Sequence, residues 1–113
     1  IVDWFASKGL DRSSPLGPGI ASINGFSDIH AIKLKTTLNG TVMQDADTSL
    51  MVYKTWELIE FVTARATLRA GDVLATGTPV GVGGFRQIFL KQGDKVRIEL
   101  EGVGELENGV IRN

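Results

Sequence analysis

The chain has 113 residues, a formal net charge of −1 and no cysteine. That length supports one small domain, and the near-neutral balance gives no electrostatic footprint for nucleic acid. Without cysteine there are no disulfides, no thiolate catalysis and no Cys-ligated zinc, and no apolar run approaches the roughly 20 residues of a membrane-spanning helix.

The chain opens on Ile1-Val2-Asp3-Trp4-Phe5, with neither an initiator Met nor a charged-then-apolar leader. It therefore reads as a piece whose start lies upstream. Trp4-Phe5 is an apolar pair that needs a cover. Lys8-Gly9-Leu10-Asp11 leads into Pro15-Leu16-Gly17-Pro18-Gly19, too rich in Pro and Gly for a helix. Leu10, Leu16 and Ile20 are expected to bury, which makes this a stiff loop beginning with a lysine. A surface lysine ahead of an ordinary Pro/Gly turn is the competing reading.

Residues 20–29 read as irregular, with a turn at Asn24-Gly25. His30 is the only histidine; one His makes no metal site, and it reads as a surface or capping residue. Ile32 to Leu38 alternates apolar and polar as a half-buried strand does. Asn39-Gly40 then predicts a tight hairpin into Thr41-Val42-Met43-Gln44. In this register Ile32, Leu34, Leu38 and Val42 face the core, and Lys33 and Lys35 face water. Residues 44–49 are polar and turn-rich. Asp45 and Asp47 lack the later Gly and Glu of a calcium loop, so capping of the next segment is the reading for them. Thr55 to Ala66 predicts a helix with Thr55 as N-cap and Glu57 in the first turn. Its apolar stripe is Leu58, Ile59, Val62 and Ala66, and Glu57 and Glu60 fall on the wet face.

The stretch from Gly71 to Gly84 is the centre of the chain. Gly71-Asp72 is turn chemistry, and Val73-Leu74-Ala75 reads as a short buried strand. Thr76-Gly77-Thr78-Pro79 then sets two hydroxyls and several N–H groups at the strand end, where Gly77 admits close approach to the backbone. Such a loop can hold a carboxylate or a ketone oxygen; a ligand-free strand connection is the alternative. Leu90-Lys91-Gln92-Gly93-Asp94 repeats the Leu-x-x-Gly-Asp of Leu68 to Asp72, and both copies read as turns feeding strands. Lys95 to Glu101 alternates, with Val96, Ile98 and Leu100 inward. Gly102 and Gly104 bracket a sharp turn, and Gly104 to Leu106 and Val110 to Arg112 read as closing strands. The sum is mixed and mostly β with one helix, a rolled or barrel-like sheet.

Lys8-Gly9-Leu10-Asp11 with Pro15-Leu16-Gly17-Pro18 resembles the lysine-bearing segment of the fumarylacetoacetate hydrolase family. The likeness continues in order through Asn39-Gly40, Gln44-Asp45, Thr48-Ser49, Met51, Glu57-Leu58-Ile59 and Gly71-Asp72-Val73. Thr76-Gly77-Thr78-Pro79, Gly81-Val82-Gly83, Gly93-Asp94 and Glu99-x-Glu101-Gly102-x-Gly104 complete it. The resemblance implies that residues 1–113 are the C-terminal portion of a single β-roll catalytic domain, incomplete at its N-terminus. It implies a homodimeric, cytoplasmic enzyme acting on 2-oxo acids or 1,3-dioxo compounds. The activities implied are C–C bond hydrolysis, decarboxylation, hydration or keto–enol isomerisation, as in a 2-hydroxyhepta-2,4-diene-1,7-dioate isomerase or acylpyruvase. They run through an enolate held by Mg²⁺ or another divalent cation.

Within that resemblance Lys8 is the catalytic lysine. Thr76, Gly77 and Thr78 bind substrate oxygens, and Asp11 takes a supporting position. The family's Glu-x-Glu and Asp metal ligands precede the lysine segment, whereas the only acid ahead of Lys8 is Asp3. No metal ligand is therefore assigned in this chain, which alone is expected to bind Mg²⁺ weakly or not at all and not to turn over. The family's His–Glu lid pair has no match either, and His30 does not supply it. Two other readings stay open: a non-catalytic ligand-binding or structural relative, and a small β-rich interaction module.

Overall fold

The computed structural model describes residues 3–111. Four strands form one antiparallel sheet: β1 (Lys33–Leu38), β2 (Thr41–Asp47), β3 (Lys95–Leu100) and β4 (Gly104–Gly109). Their order is β2-β1-β3-β4, so β2 and β4 are the edges among the described residues. Among the described residues the sheet is open: β2 and β4 do not pair with each other, so these four strands alone do not form the rolled or barrel-like sheet expected of the domain. Two α-helices, α1 (Trp4–Lys8) and α2 (Thr55–Thr63), and two 3₁₀ turns, Ile23–Gly25 and Thr48–Leu50, complete the regular structure.

The β1–β2 hairpin closes at Asn39-Gly40 as its sequence predicts. Both residues take positive φ, 50° and 81°, the pair of values a two-residue primed turn demands. Asn39 adds a second function. Its Nδ2 donates to Asp94 Oδ1 at 2.9 Å and its Oδ1 accepts from the Lys95 N–H at 2.8 Å. The hairpin tip thus also fixes the start of β3.

Register gives the sheet two unlike faces. Residues directly opposite across a ladder share a face, so Leu34 groups with Ala46 and Leu100, Thr36 with Ile98, Leu38 with Val96, and Ile98 with Leu106. This is the apolar face. Lys33, Lys35, Asp45, Asp47, Arg97, Glu99, Glu105 and Glu107 take the other. There Arg97 pairs with Glu99 and Glu105, and Lys95 Nζ lies 3.8 Å from Glu107.

Val42 is a correction. Thr36 pairs with Gln44 but Thr37 pairs with Val42, so β2 carries one extra residue, Met43. This bulge moves Val42 to the charged face, where it is 46% exposed, and leaves Gln44 on the apolar one.

The repeated Leu-x-x-Gly-Asp segments fold alike. Asp72 N–H donates to Arg69 O at 3.0 Å while Asp72 Oδ2 accepts from Arg69 N–H at 2.7 Å. Asp94 and Lys91 make the same pair, at 3.0 and 2.7 Å. Gly71 and Gly93 supply φ of 98° and 90°. Only the second copy feeds a strand. Val73-Leu74-Ala75 lies outside regular structure and Val73 is 73% exposed, because no described strand offers these residues a ladder. At the far end β4 runs to Gly109 and Val110 N–H donates to Asp94 O; Arg112 lies outside the described residues.

Helix α2 starts one residue earlier than the sequence suggests. Lys54 is its N-cap, Thr55 its first residue, and Glu57 Oε2 accepts from the Lys54 N–H at 2.6 Å. His30 does cap: its Nε2 accepts from the Thr55 N–H at 3.2 Å, satisfying one of the free donors of the first turn. The helix ends at Thr63, short of Ala66, and Arg65 folds back to donate to Phe61 O while stacking on the Phe61 ring. Leu58 and Val62 are half-buried. No described residue is fully buried, and Phe5, Leu10 and Leu16, expected to find cover, are 82%, 62% and 81% exposed. No described helix is long and apolar enough to cross a membrane.

Candidate functional site

A cavity of about 320 Å³ lies between the apolar sheet face, the Thr48–Tyr53 connection, α2 and the Thr76–Pro79 loop. Its walls include Leu34 and Ala46 from the sheet, Met51 and Leu58 from the connection and helix, and Thr76 and Thr78 from the loop. The size and composition suit a small ligand, with apolar walls and a few directed polar groups. Gly77 lies on the rim with φ 106°, and a Cβ built there meets nothing within 4 Å. The peptide is therefore open to an incoming oxygen from that side.

The loop is held from below by β2. Gln44 Nε2 donates to Thr78 Oγ1 and to Pro79 O, both at 2.9 Å. Two residues on, Gly81 passes so close to β2 that any Cβ would collide with Met43 O and come within 2.9 Å of Gln44 Cγ. Arg86 reaches back across the same strand, its Nη1 3.4 Å from Met43 O. A glycine and an amide side chain thus seat the hydroxyl-bearing loop on the sheet.

Asp47 stands at the wall of the same cavity. Its Oδ1 accepts from Ser49 N–H at 2.8 Å and caps the Thr48–Leu50 turn. Hydrogen bonding to Ser49, aided by Lys33 and Lys54, holds its carboxyl below the ordinary carboxylate value.

The other sequence-predicted residues lie apart. Lys8 is the last residue of α1 and Asp11 belongs to the turn after it; both are exposed. Neither lines the cavity that Thr76, Gly77 and Thr78 share. The residue that sequence reasoning missed as part of the site is Gln44. Its signal was available: a polar side chain two residues from Ala46 on the face that turns inward.

The described residues do not fit a divalent cation. No three His, Asp or Glu side chains among them converge. The densest carboxylates, Asp45, Glu99, Glu101 and Glu105, share their hollow with Lys33 and Lys35, and Arg97 pairs with two of them.

Comparison with known proteins gives concordant matches. The family description Fumarylacetoacetate (FAA) hydrolase C-terminal matches residues 1–111. The chain is 44% identical over 110 residues to the mitochondrial oxaloacetate tautomerase FAHD2A of Bos taurus, covering 96% of this chain and 35% of that protein. Among solved structures, the 5-carboxymethyl-2-hydroxymuconate delta-isomerase of Mycobacterium smegmatis superposes with a TM-score of 0.77 at 41% identity, over 88% of this chain and 36% of that one. The maleylpyruvate hydrolase of Sphingobium sp. SYK-6, in complex with manganese(II) and pyruvate, gives 0.77 at 34% identity, over 84% and 34%. The chain thus spans about a third of the length of these relatives.

Proposed function

The chain belongs to the fumarylacetoacetate hydrolase family, and from that premise we propose that it forms one wall of the active site of an enzyme acting on a 2-oxo acid or 1,3-dioxo acid. The reaction is C–C bond hydrolysis, decarboxylation or keto–enol isomerisation. The observation that carries this reading is the Thr76-Gly77-Thr78 loop at the rim of an apolar cavity. Its hydroxyls and open peptide are donors to substrate oxygens at the edge of a small, mostly apolar pocket.

Lys8 is the proposed catalytic residue: its ammonium holds a substrate oxygen on which charge develops, or delivers a proton there. Asp11, three residues on, is assigned to support it. The reading brings Lys8 to the cavity only in the complete protein, since within this chain it stands apart. A divalent cation, Mg²⁺ or another, belongs to the same reading, and its ligands come from residues other than these. The maleylpyruvate hydrolase relative holds manganese(II), which is the support for a cation here. A homodimer and a cytoplasmic location complete the proposal; the bovine relative is mitochondrial, and cell fractionation separates the two locations.

The test is turnover of oxaloacetate and of acylpyruvates by the complete protein with Mg²⁺ or Mn²⁺. Lys8→Ala should lower kcat by roughly a hundredfold or more, the scale of a positioned acid–base group. Activity unchanged in that variant refutes the role of Lys8. A complete protein inactive on every 2-oxo and dioxo acid, but still binding one, favours the non-catalytic ligand-binding relative.

A further inference from the structure

Gln44 is a half-buried polar side chain on the apolar face of the sheet, flanked in register by Thr36 and Ala46. Its terminal nitrogen lies 2.9 Å from Pro79 O and 2.9 Å from Thr78 Oγ1. A backbone carbonyl only accepts, so the amide atom facing Pro79 must be the nitrogen. A primary amide has two N–H groups, and here one goes to each oxygen. Thr78 Oγ1 is therefore an acceptor toward Gln44. A hydroxyl carries a single proton, and that proton is left over for the open sides of Thr78, which lines the cavity and a neighbouring hollow bounded by Met43, Gln44 and Arg86.

We infer that Gln44 is a positioning residue that fixes the Thr78 hydroxyl as a hydrogen-bond donor toward the cavity, so that this subsite favours an acceptor oxygen, a carboxylate or a ketone, over a group that must itself donate. The inference rests on the substrate role proposed for Thr76 to Thr78. It deepens that role by assigning the direction of one hydrogen bond. It also explains why an amide, and not a carboxylate of the same length, stands in β2: a carboxylate would repel the Pro79 carbonyl and draw the Thr78 proton to itself.

Gln44→Glu in the complete protein tests this, because the two side chains match in length and shape and differ in donor capacity. Calorimetric binding of pyruvate in the presence of manganese(II) is the measurement, with Gln44→Met as the second variant. At neutral pH Gln44→Glu should weaken pyruvate roughly ten- to a hundredfold and Gln44→Met roughly three- to tenfold, the scale of one or two misdirected hydrogen bonds. Acidification should narrow the Gln44→Glu deficit, since a protonated carboxyl regains one donor, and should leave Gln44→Met unmoved. A merely structural role predicts deficits of similar size in both variants and no dependence on pH. That result, or wild-type affinity in Gln44→Glu, overturns the inference.

One arm is independent of any ligand. In wild-type protein the Gln44 side-chain amide protons should exchange slowly and show nuclear Overhauser contacts to Thr78. Their absence overturns the inference whatever pyruvate does. Failure of the wild type to bind pyruvate refutes the functional reading instead, and this arm then decides on Gln44 alone.

Discussion

Replacing Gly81 by Ala measures how firmly the hydroxyl loop is seated. Gly81 has φ 116° and Gly77 has φ 106°, so Ala is strained at both, by about 2 kcal/mol for a sparsely populated backbone region. The surroundings differ. A Cβ at Gly77 meets nothing within 4 Å, whereas one at Gly81 collides with Met43 O. Relieving that collision lifts the loop off β2 and breaks both Gln44 hydrogen bonds, each worth about 1 kcal/mol net. Gly77→Ala should therefore cost about 2 kcal/mol and Gly81→Ala about 4 kcal/mol. Urea unfolding of the complete protein, compared at equal m, gives both values. The difference between the variants isolates the docking, because the backbone term cancels. Equal losses in the two variants would refute the argument that Gly81 is there for close approach to β2.

The double tie made by Asn39 should also be measurable. Asn39→Gly keeps the positive φ but removes the bonds to Asp94 and Lys95, and should cost about 2 kcal/mol in the same unfolding assay. Acid should destabilise the fold through two carboxylates. Asp47, hydrogen-bonded to Ser49, and Asp94, hydrogen-bonded first to Asn39 and then to Lys91, both have pKa values held below 3.8. A depressed folded-state pKa stabilises above the unfolded value and is lost as pH falls through the folded one. Unfolding free energy should therefore be flat in this contribution above about pH 5 and fall below about pH 4. Asn39→Gly should blunt the fall. A slope below pH 4 identical in that variant would dismiss the assignment to Asp94.

Local chemistry was the legible part of this sequence. Asn39-Gly40, the Gly71-Asp72 and Gly93-Asp94 turns and the alternation of Lys95 to Leu100 each depend on a few neighbouring residues, and each forms as read; the cap at His30 also forms, although its partner Thr55 lies 25 residues on. What failed depended on distant partners. The extra residue at Met43 cannot be seen in β2 alone, because a bulge is defined by the strand opposite. Val73 to Ala75 has the composition of a strand, but a strand also needs a neighbour. Burial of Leu10 and Leu16 likewise requires a surface elsewhere to receive them. In the candidate site, Thr76 to Thr78 could be proposed from sequence because their donors are local, while Gln44 contacts Thr78 across 34 residues of sequence.

The charged face governs how the sheet stops growing. Among the described residues strand β4 is an edge, and backbone groups left unpaired at such an edge are a template for another copy of the strand. Glu105 and Glu107 lie on one face of it, bracketed by Gly104 and Gly109. An antiparallel copy centred on Leu106 would set Glu105 against Glu107 twice. A copy centred on Glu107 would set that residue against itself. Like charges placed directly opposite destabilise a pairing, and Arg97 and Lys95, the nearest cations, are already engaged on the inner side. The edge therefore resists self-addition through its own alternation, and neutralising Glu105 and Glu107 together would open it to fibrous assembly.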